Sequence, residues 1–281
     1  MKLVRTAAEM RRLCRTARVG GARLGLVPTM GALHEGHLSL VRAARKSSDM
    51  VAASIFVNPT QFGPSEDFSK YPRNLENDTA LLEREGVDLV FAPSAEEMYP
   101  EGAVTWVIVE GLSERLCGKS RPGHFRGVTT VVSKLFHIVE PDVAYFGQKD
   151  AAQVAIIRRM VRDLNMPVAI EVCPIVREPD GLAMSSRNAY LSPDERKSAL
   201  VLNRSLTEVG KIFEAGERDS AKLIASAKHE FAIEPGVRLD YFEIVDPDTL
   251  EAEPLITKRV LVAVAAIVGK TRLIDNILLE P

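Results

Sequence analysis

Two histidines lie three residues apart in the segment Pro28–His37 (PTMGALHEGH), where a strand-like run gives way to a helical pattern. At this spacing His34 and His37 share one face of the first helical turn. A helix N-terminus offers unpaired N–H groups and a positive dipole end to phosphate, and Gly31 and Gly36 allow close backbone approach. A metal-ligating pair would need a third ligand, and the sequence has no His/Cys cluster to supply one. The segment is therefore interpreted as phosphate-binding.

A second candidate is the polar segment Gly181–Asn188 (GLAMSSRN), which combines the hydroxyls of Ser185 and Ser186 with the guanidinium of Arg187. Such a loop suits a polyphosphate held from the side opposite the histidines. Taken alone it would be typical of any solvated loop. The histidine segment upstream makes the phosphate interpretation more specific.

Strand-like and helix-like segments alternate up to about residue 174. The predicted strands are Arg23–Thr29, Met50–Val57, Val87–Phe91, Val104–Val109, Val143–Phe146 and Val168–Val172. The predicted helices are His37–Ser47, Leu75–Arg84, Val128–Val139 and Ala151–Leu164. This alternation predicts an α/β fold: a Rossmann-like open parallel sheet with helices on both faces.

The pattern changes after a polar stretch at residues 175–190. Two long helical patterns, Pro193–Ala215 and Asp219–Phe231, precede two β-rich stretches, Leu239–Val245 and Val260–Val268. We therefore predict two domains, with a hinge near Pro174–Glu178. Residues 1–174 would bind the ligands, and residues 175–281 would form a smaller C-terminal α+β lid domain.

The composition excludes several classes of protein. The 281 residues carry 36 Lys+Arg and 38 Asp+Glu, a net charge of −2, which argues against a nucleic-acid coat or a disordered charged chain. The longest apolar run is Val260–Val268, too short for a membrane span. Cys14, Cys117 and Cys173 fit neither a disulfide framework nor a zinc site. With no signal-like N-terminus, we expect a cytoplasmic protein.

The two candidate segments resemble the HIGH and KMSKS signatures of the nucleotidyl-transfer superfamily that includes class I aminoacyl-tRNA synthetases. Ala183 replaces the first basic residue of KMSKS. The remaining motifs occur in the order and spacing of the pantothenate synthetase (pantoate–β-alanine ligase) family, and Pro179 and Gln148 are minor departures. These motifs are Phe56–Gly63 (FVNPTQFG), Lys70–Arg73 (KYPR), Arg121–Gly127 (RPGHFRG), Phe146–Asp150 (FGQKD) with Gln153, and Arg177–Asn188.

The resemblance implies an ATP-dependent condensation of (R)-pantoate with β-alanine. The pantoate carboxylate would attack the α-phosphorus to give pantoyl adenylate and pyrophosphate. The β-alanine amine would then attack the acyl carbon and release AMP. The resemblance also implies Mg²⁺ as a cofactor, a homodimer, and small-molecule partners only, with neither nucleic acid nor membrane.

The family's functional residues carry over by position. The catalytic residues implied are His34, His37, Lys149 and Arg187. The ATP-binding residues implied are Met30, Gly31, Ala32, Leu33, His34, Glu35, Gly36, His37, Gly147, Gln148, Lys149, Asp150, Val176, Met184, Ser185, Ser186 and Arg187. The pantoate- and β-alanine-binding residues implied are Met30, Asn58, Gln61, Phe62 and Gln153. Asp78 is the implied magnesium ligand.

Several roles stay open at this level. His37 either donates a proton or stabilises charge on the reacting phosphorus, and electrostatics suit this chemistry better. Asp150 either binds a ribose hydroxyl or caps the following helix. The basic loop Arg121–Arg126 belongs either to the site or to a subunit contact, and Trp106 is placed near an interface. We expect His34, His37, Lys149 and Arg187 to concentrate positive charge around one crevice.

Two other functions compete with the ligase. One is a nucleotidylyltransferase that releases its adenylylated product; it would share the histidine motif but leave the Asn58–Gln61 and Gly147–Gln153 elements unexplained. The other is a non-enzymatic nucleotide- or RNA-binding module, and the chain lacks the basic stripe that such a module needs.

Overall fold

The first part of the chain forms a six-stranded parallel sheet, seen in a computed structural model that describes residues 1–64 and 66–281. Its strands are β1 Lys2–Val4, β2 Leu24–Thr29, β3 Met50–Ile55, β4 Leu89–Phe91, β5 Val143–Gly147 and β6 Ala169–Cys173. Their spatial order is β1-β4-β3-β2-β5-β6, and every pairing is parallel. The predicted open parallel sheet is confirmed.

Helices cover both faces of this sheet. They are α1 Ala7–Val19, α2 Glu35–Ser47, α3 Leu75–Arg84, α4 Ala95–Met98, α5 Cys117–Ser120, α6 His124–Val139 and α7 Ala151–Asp163. Three further helices belong to the second part of the chain: α8 Pro193–Ala199, α9 Val201–Glu214 and α10 Ser220–Ala232. The core on one face contains residues of α1, α6 and α7, and the core on the other contains residues of α2 and α3. Burial on both faces explains why β2 and β3 read as continuous apolar runs.

The second part of the chain adds a three-stranded antiparallel sheet. Its strands are β7 Val237–Val245, β8 Val260–Val268 and β9 Thr271–Leu279, in that spatial order. One face packs on α9 and α10, while Val245, Leu261 and Ala263 belong to the core of the parallel sheet. The antiparallel sheet therefore contributes residues to the cores of both parts of the molecule. Because β8 is buried on both faces, its sequence is apolar without interruption.

Two sequence-based predictions of elements were wrong or incomplete, and several elements were not predicted. Val104–Val109 is extended but belongs to neither sheet: Thr129 and Thr130 of α6 take the place of a neighbouring strand, because Val107 donates its N–H to Thr130 Oγ1 and accepts from Thr129 Oγ1. The predicted helix Pro193–Ala215 is divided at Leu200 into α8 and α9. The elements β1, α1 and β9 were not predicted.

Two further features concern the cysteines and the length of the helices. Cys14, Cys117 and Cys173 are all buried free thiols, and burial raises the pKa of Cys14 to about 12. Among the described residues, no helix combines the length and the apolar character that crossing a bilayer requires.

Candidate active site

The candidate site lies where the direction of the parallel sheet reverses. Strand β2 pairs with β3 on one side and with β5 on the other, so the segments that leave β2 and β5 diverge and leave a crevice between them. This crevice contains two adjoining cavities of about 230 and 900 Å³, and the larger cavity extends to β9. Both cavities are lined by Arg121, His124, Lys149, Asp150, Gln153, Ser185 and Arg187.

The histidine pair begins helix α2. His34 is the N-cap, and its Nδ1 accepts from Gly36 N–H at 3.2 Å. His37 Nδ1 accepts in turn from His34 N–H at 3.3 Å. Because a ring nitrogen that accepts carries no proton, both neutral imidazoles hold their proton on Nε2. Each histidine therefore has its Nε2–H free of the cap and available to a ligand.

Burial removes the charge from these two histidines. It lowers the pKa of His34 to about 4, assisted by the Lys149 ammonium, and the pKa of His37 to about 3, assisted by His34. Without ligand both rings are therefore neutral near pH 7. The expectation that the pair carries positive charge is wrong, and their contribution is that of two oriented hydrogen-bond donors.

A buried carboxylate shapes the turn that leads to the histidines. The two oxygens of Asp78 accept from Ala32 N–H and Leu33 N–H, both at 2.9 Å. Ala32 has a φ of 51°, a left-handed conformation that this pair of charge-assisted bonds stabilises. A Cβ on Gly31 would lie 2.8 Å from Asp78 Oδ2, so this position requires glycine.

These surroundings do not fit the magnesium ligand predicted at Asp78. Its side chain is 1% exposed, and both oxygens are already engaged by the backbone. Residues 1–64 and 66–281 hold no group of three His, Cys, Asp or Glu side chains placed to bind a metal ion. Asp78 is instead a positioning residue for the turn.

Two amides follow the end of β3. Gln61 donates from Nε2 to Met30 Sδ at 3.1 Å and accepts on Oε1 from Asn58 Nδ2 at 3.1 Å. Asn58 is 1% exposed and also bonds Gly127 O, Thr60 and Tyr99. The hydrogen-bonding groups of Asn58 are thus fully used, so it supports Gln61 from behind instead of presenting free groups to a ligand.

The residues of the basic loop Arg121–Arg126 lie in two places. His124 donates from Nδ1 to Gln61 O at 2.8 Å, and Arg121 makes two bonds to Glu66, at 2.6 and 2.8 Å. Burial and the neighbouring Arg121 lower the pKa of His124 to about 4. These residues belong to the crevice wall, whereas the Arg126 guanidinium lies over the Trp106 ring at 4.6 Å on the outer surface.

A short 3₁₀ turn at the end of β5 carries Lys149 and Asp150 into the crevice. Lys149 Nζ lies 3.6 Å from Asp150 Oδ1, and both residues line both cavities. Asp150 makes no side-chain capping hydrogen bond to α7, every residue of which is described. This favours a ligand-facing role for its carboxylate. Gln153, one turn into α7, also faces the crevice and is not an exposed helix residue.

The loop Met184–Arg187, called the lid loop below, covers the histidine segment. Met184 N–H donates to Val176 O at 3.0 Å. A Cβ on Gly36 would lie 3.7 Å from Met184 Cβ, so the lid loop and the histidine segment Pro28–His37 are nearly in contact. The structure thus brings together two segments that are far apart in the sequence.

Residues of the segment 66–71 hold the lid loop on its other side. Arg187 makes two bonds to Asp67, at 3.0 and 2.9 Å, and Ser186 Oγ lies 3.2 Å from the Tyr71 hydroxyl. The Phe62 ring packs edge-on against Tyr71 at 6.0 Å between centroids. Sequence reasoning missed Asp67 and Tyr71. Tyr71 lies in the quoted motif Lys70–Arg73, which carried no role, and Asp67 lies in no motif.

The fold and the crevice together define a Rossmann-like α/β protein with its ligand site at the strand switch point. A model of the pantoate-beta-alanine ligase family matches residues 2–278. The pantothenate synthetase of Koribacter versatilis is 61% identical over 280 residues, covering 100% of this chain and 96% of that protein. The pantothenate synthetase of Acetivibrio thermocellus is 58% identical over 280 residues, covering 100% of both.

Solved structures agree. Pantothenate synthetase from Thermus thermophilus has a TM-score of 0.95 at 48% identity, with 100% of both chains covered. Pantoate-beta-alanine ligase from Francisella tularensis, complexed with beta-gamma ATP and beta-alanine, has a TM-score of 0.78 at 34% identity, covering 99% of this chain and 97% of that one. The chain belongs to the pantoate–β-alanine ligase family and is a ligase that forms an amide bond.

The role of Asp78 can be tested with Asp78→Asn. The amide keeps one acceptor but turns an NH₂ group toward a backbone N–H, so one bond is lost and a donor faces a donor. We expect a loss of about 1–3 kcal/mol in the free energy of unfolding and weaker ATP binding. Urea denaturation and ATP titration measure both. The exposed Asp163→Asn is the matched control, and equal behaviour of the two variants would contradict the positioning role.

Proposed function

We propose that this chain condenses pantoate with β-alanine in an ATP-dependent reaction through a pantoyl-adenylate intermediate. The observation that carries the proposal is the convergence of the neutral histidine pair, Lys149 and the amides of Gln61 and Gln153 on one crevice. Membership of the pantoate–β-alanine ligase family supports the choice of substrates. The ATP and β-alanine complex of the Francisella tularensis relative supports the use of ATP.

In the first step a pantoate carboxylate oxygen attacks the α-phosphorus of ATP, and the bond to the β-phosphate breaks as pyrophosphate leaves. Gln61 and Gln153 hold the pantoate hydroxyls and carboxylate, since amides both donate and accept. Met30 and Phe62 provide an apolar wall for its gem-dimethyl group. Lys149 bridges the carboxylate and the α-phosphate, bringing nucleophile and electrophile together.

His34 and His37 act on the same step as fixed donors. Their Nε2–H groups are oriented before ATP arrives, so they stabilise the charge that develops on the phosphate oxygens without reorganisation. Because the rings are neutral when ligand is absent, proton donation is not needed for this contribution.

In the second step the β-alanine amine attacks the acyl carbon, the bond to the phosphate oxygen breaks, and AMP leaves as the amine loses its proton. The mixed anhydride must be kept from water until the amine arrives. The lid loop serves this purpose, with Val176 and Met184 against the nucleotide and Ser185, Ser186 and Arg187 toward the phosphates. ATP phosphates would compete with Asp67 for the Arg187 guanidinium.

In this proposal magnesium would be bound mainly by the ATP phosphates. It retains most of its water ligands in such complexes and needs few protein groups. Since Asp78 does not fit the role of ligand, no step of the reaction is assigned to the metal.

The central test is pantoate-dependent exchange between ATP and labelled pyrophosphate in the absence of β-alanine. We expect exchange, with AMP released only when β-alanine is added. Lys149→Ala should lower the exchange rate at least about 100-fold, because it removes a preorganised charge from the transition state. The exposed Lys228→Ala on α10 is the matched control. Absence of exchange would contradict the adenylate, and release of a stable adenylylated product would favour a nucleotidylyltransferase.

We also propose that two copies associate through the extended segment 104–109. Its inward residue Val107 is bonded to α6, so Trp106 and Ile108 face outward, 39% and 56% exposed. An extended edge with apolar side chains pairs readily with a second copy of itself. This agrees with the homodimer that the sequence resemblance implies.

Ile108→Lys should shift the chain from dimer to monomer, since the charge would be buried in the contact between the copies. Sedimentation equilibrium at micromolar concentration measures the change. Ile233→Lys, at a position 63% exposed and remote from this segment, should leave the dimer intact. A monomeric wild type, or a dimeric Ile108→Lys variant, would contradict the proposal.

A further inference from the structure

A residue of the second sheet reaches across the crevice to the Lys149 turn. Asn276, on β9, donates from Nδ2 to Gln148 O at 2.9 Å and to Lys149 O at 3.0 Å. Its Oδ1 accepts from Gln148 Nε2 at 2.9 Å. Asn276 is 2% exposed, so these three bonds form out of contact with water, where leaving a polar group unpaired is costly.

The preceding residue on the same strand binds the base of the lid loop. Asp275, 3% exposed, makes two bonds to Arg177, at 2.6 and 3.0 Å. Arg177 also donates to Gly181 O and pairs through its backbone with Ala183, directly before the lid loop. Asp275 Oδ1 accepts in addition from the backbone N–H of Asn276 at 2.8 Å, which ties the Asp275 side chain to the backbone at Asn276.

Two adjacent residues of β9 thus hold the two segments that are proposed to bind ATP. Asn276 holds the Lys149 turn, and Asp275 holds the base of the lid loop. A dipeptide within a buried antiparallel strand has little freedom, because β9 is hydrogen-bonded to β8 along its length. The distance between the Lys149 turn and the lid loop is therefore set by β9, and neither segment has to fix it alone. By bonding the carbonyls of Gln148 and Lys149, the Asn276 side chain fixes the backbone from which the Lys149 side chain extends.

We propose that Asn276 is a positioning residue that acts through Lys149: it holds the Gln148–Lys149 carbonyls so that the ammonium meets the α-phosphate, while Asp275 keeps the lid loop in register. This inference rests on the proposed ATP-dependent function. If Asn276 were merely structural, its substitution would lower the free energy of unfolding, and its effect on ATP binding would be the same whether or not the Lys149 ammonium is present. The dependence on Lys149 separates the two roles.

The test is a double-mutant cycle on ATP affinity, using Asn276→Ala, Lys149→Ala and the double variant. ATP dissociation constants are measured by equilibrium titration, which requires no turnover. We expect Asn276→Ala to weaken ATP binding about tenfold when Lys149 is present, as for a coupled pair, and less than about twofold when it is absent. An equal effect in both backgrounds, or no effect in either, would overturn the proposal.

Two further variants complete the design. Ser220→Ala removes another buried hydrogen bond of the second part of the chain, from Ser220 Oγ to Glu253 O, and should lower stability without changing ATP affinity. If Asn276→Ala does not fold, Asn276→Ser carries the cycle, since serine removes the amide that bonds the two carbonyls and adds no charge near Lys149. A wild type that fails to bind ATP would instead refute the proposed function itself.

Discussion

The position of β2 between β3 and β5 is the constraint on which the crevice depends. Parallel strands all end at the same edge, so the polar segments that follow β2, β3, β5 and β6 arrive at one place although they are far apart in sequence. The histidine turn follows β2, Gln61 follows β3, Lys149 follows β5 and Val176 follows β6. No segment contains a site by itself. The order of the strands brings the four segments together into one site.

The second constraint is the pairing of charge before any ligand arrives. Arg187 is held by Asp67, Arg121 by Glu66 and Arg177 by Asp275, each through two hydrogen bonds. The histidines are neutral because they are buried. In the proposed function a triphosphate therefore meets oriented donors and Lys149, and it must displace a carboxylate to engage Arg187. A net charge of −2 is compatible with this proposal, because the positive groups around the crevice are local and need not appear in the total.

Sequence reasoning succeeded where a single local pattern determines the element. The bounds of α3 (Leu75–Arg84) and β8 (Val260–Val268) were predicted to the residue, because a helical period of about 3.6 residues and an uninterrupted apolar run leave little choice. Strand β9 was missed because its polar residues Asp275 and Asn276 break the alternation. Those residues bond partners that lie 98 to 128 residues earlier in the chain, a reason for their presence that no local pattern contains.

The same distinction holds for the site. Many predicted residues of the motif segments line the crevice, but Gly31, Ala32, Leu33, Glu35 and Gln148 do not. The partners Asp67 and Asn276 lie in stretches that carry no chemical signature alone. The tautomer and the neutral state of the histidines follow from burial and from bonds to backbone N–H groups. The role of Asp78 likewise depends on a turn 46 residues away, to which only the fold brings it.

We infer that His37 acts as a neutral, preoriented donor and not as a proton source. The most direct measurement is the single-turnover rate of adenylate formation in His37→Gln and His37→Ala. Glutamine keeps an N–H donor but cannot supply a proton, so the account predicts that His37→Gln stays within about tenfold of wild type while His37→Ala loses about 10²–10³-fold. An equal loss in both variants, within the range of about 10²–10⁴-fold expected of a general acid, would contradict it.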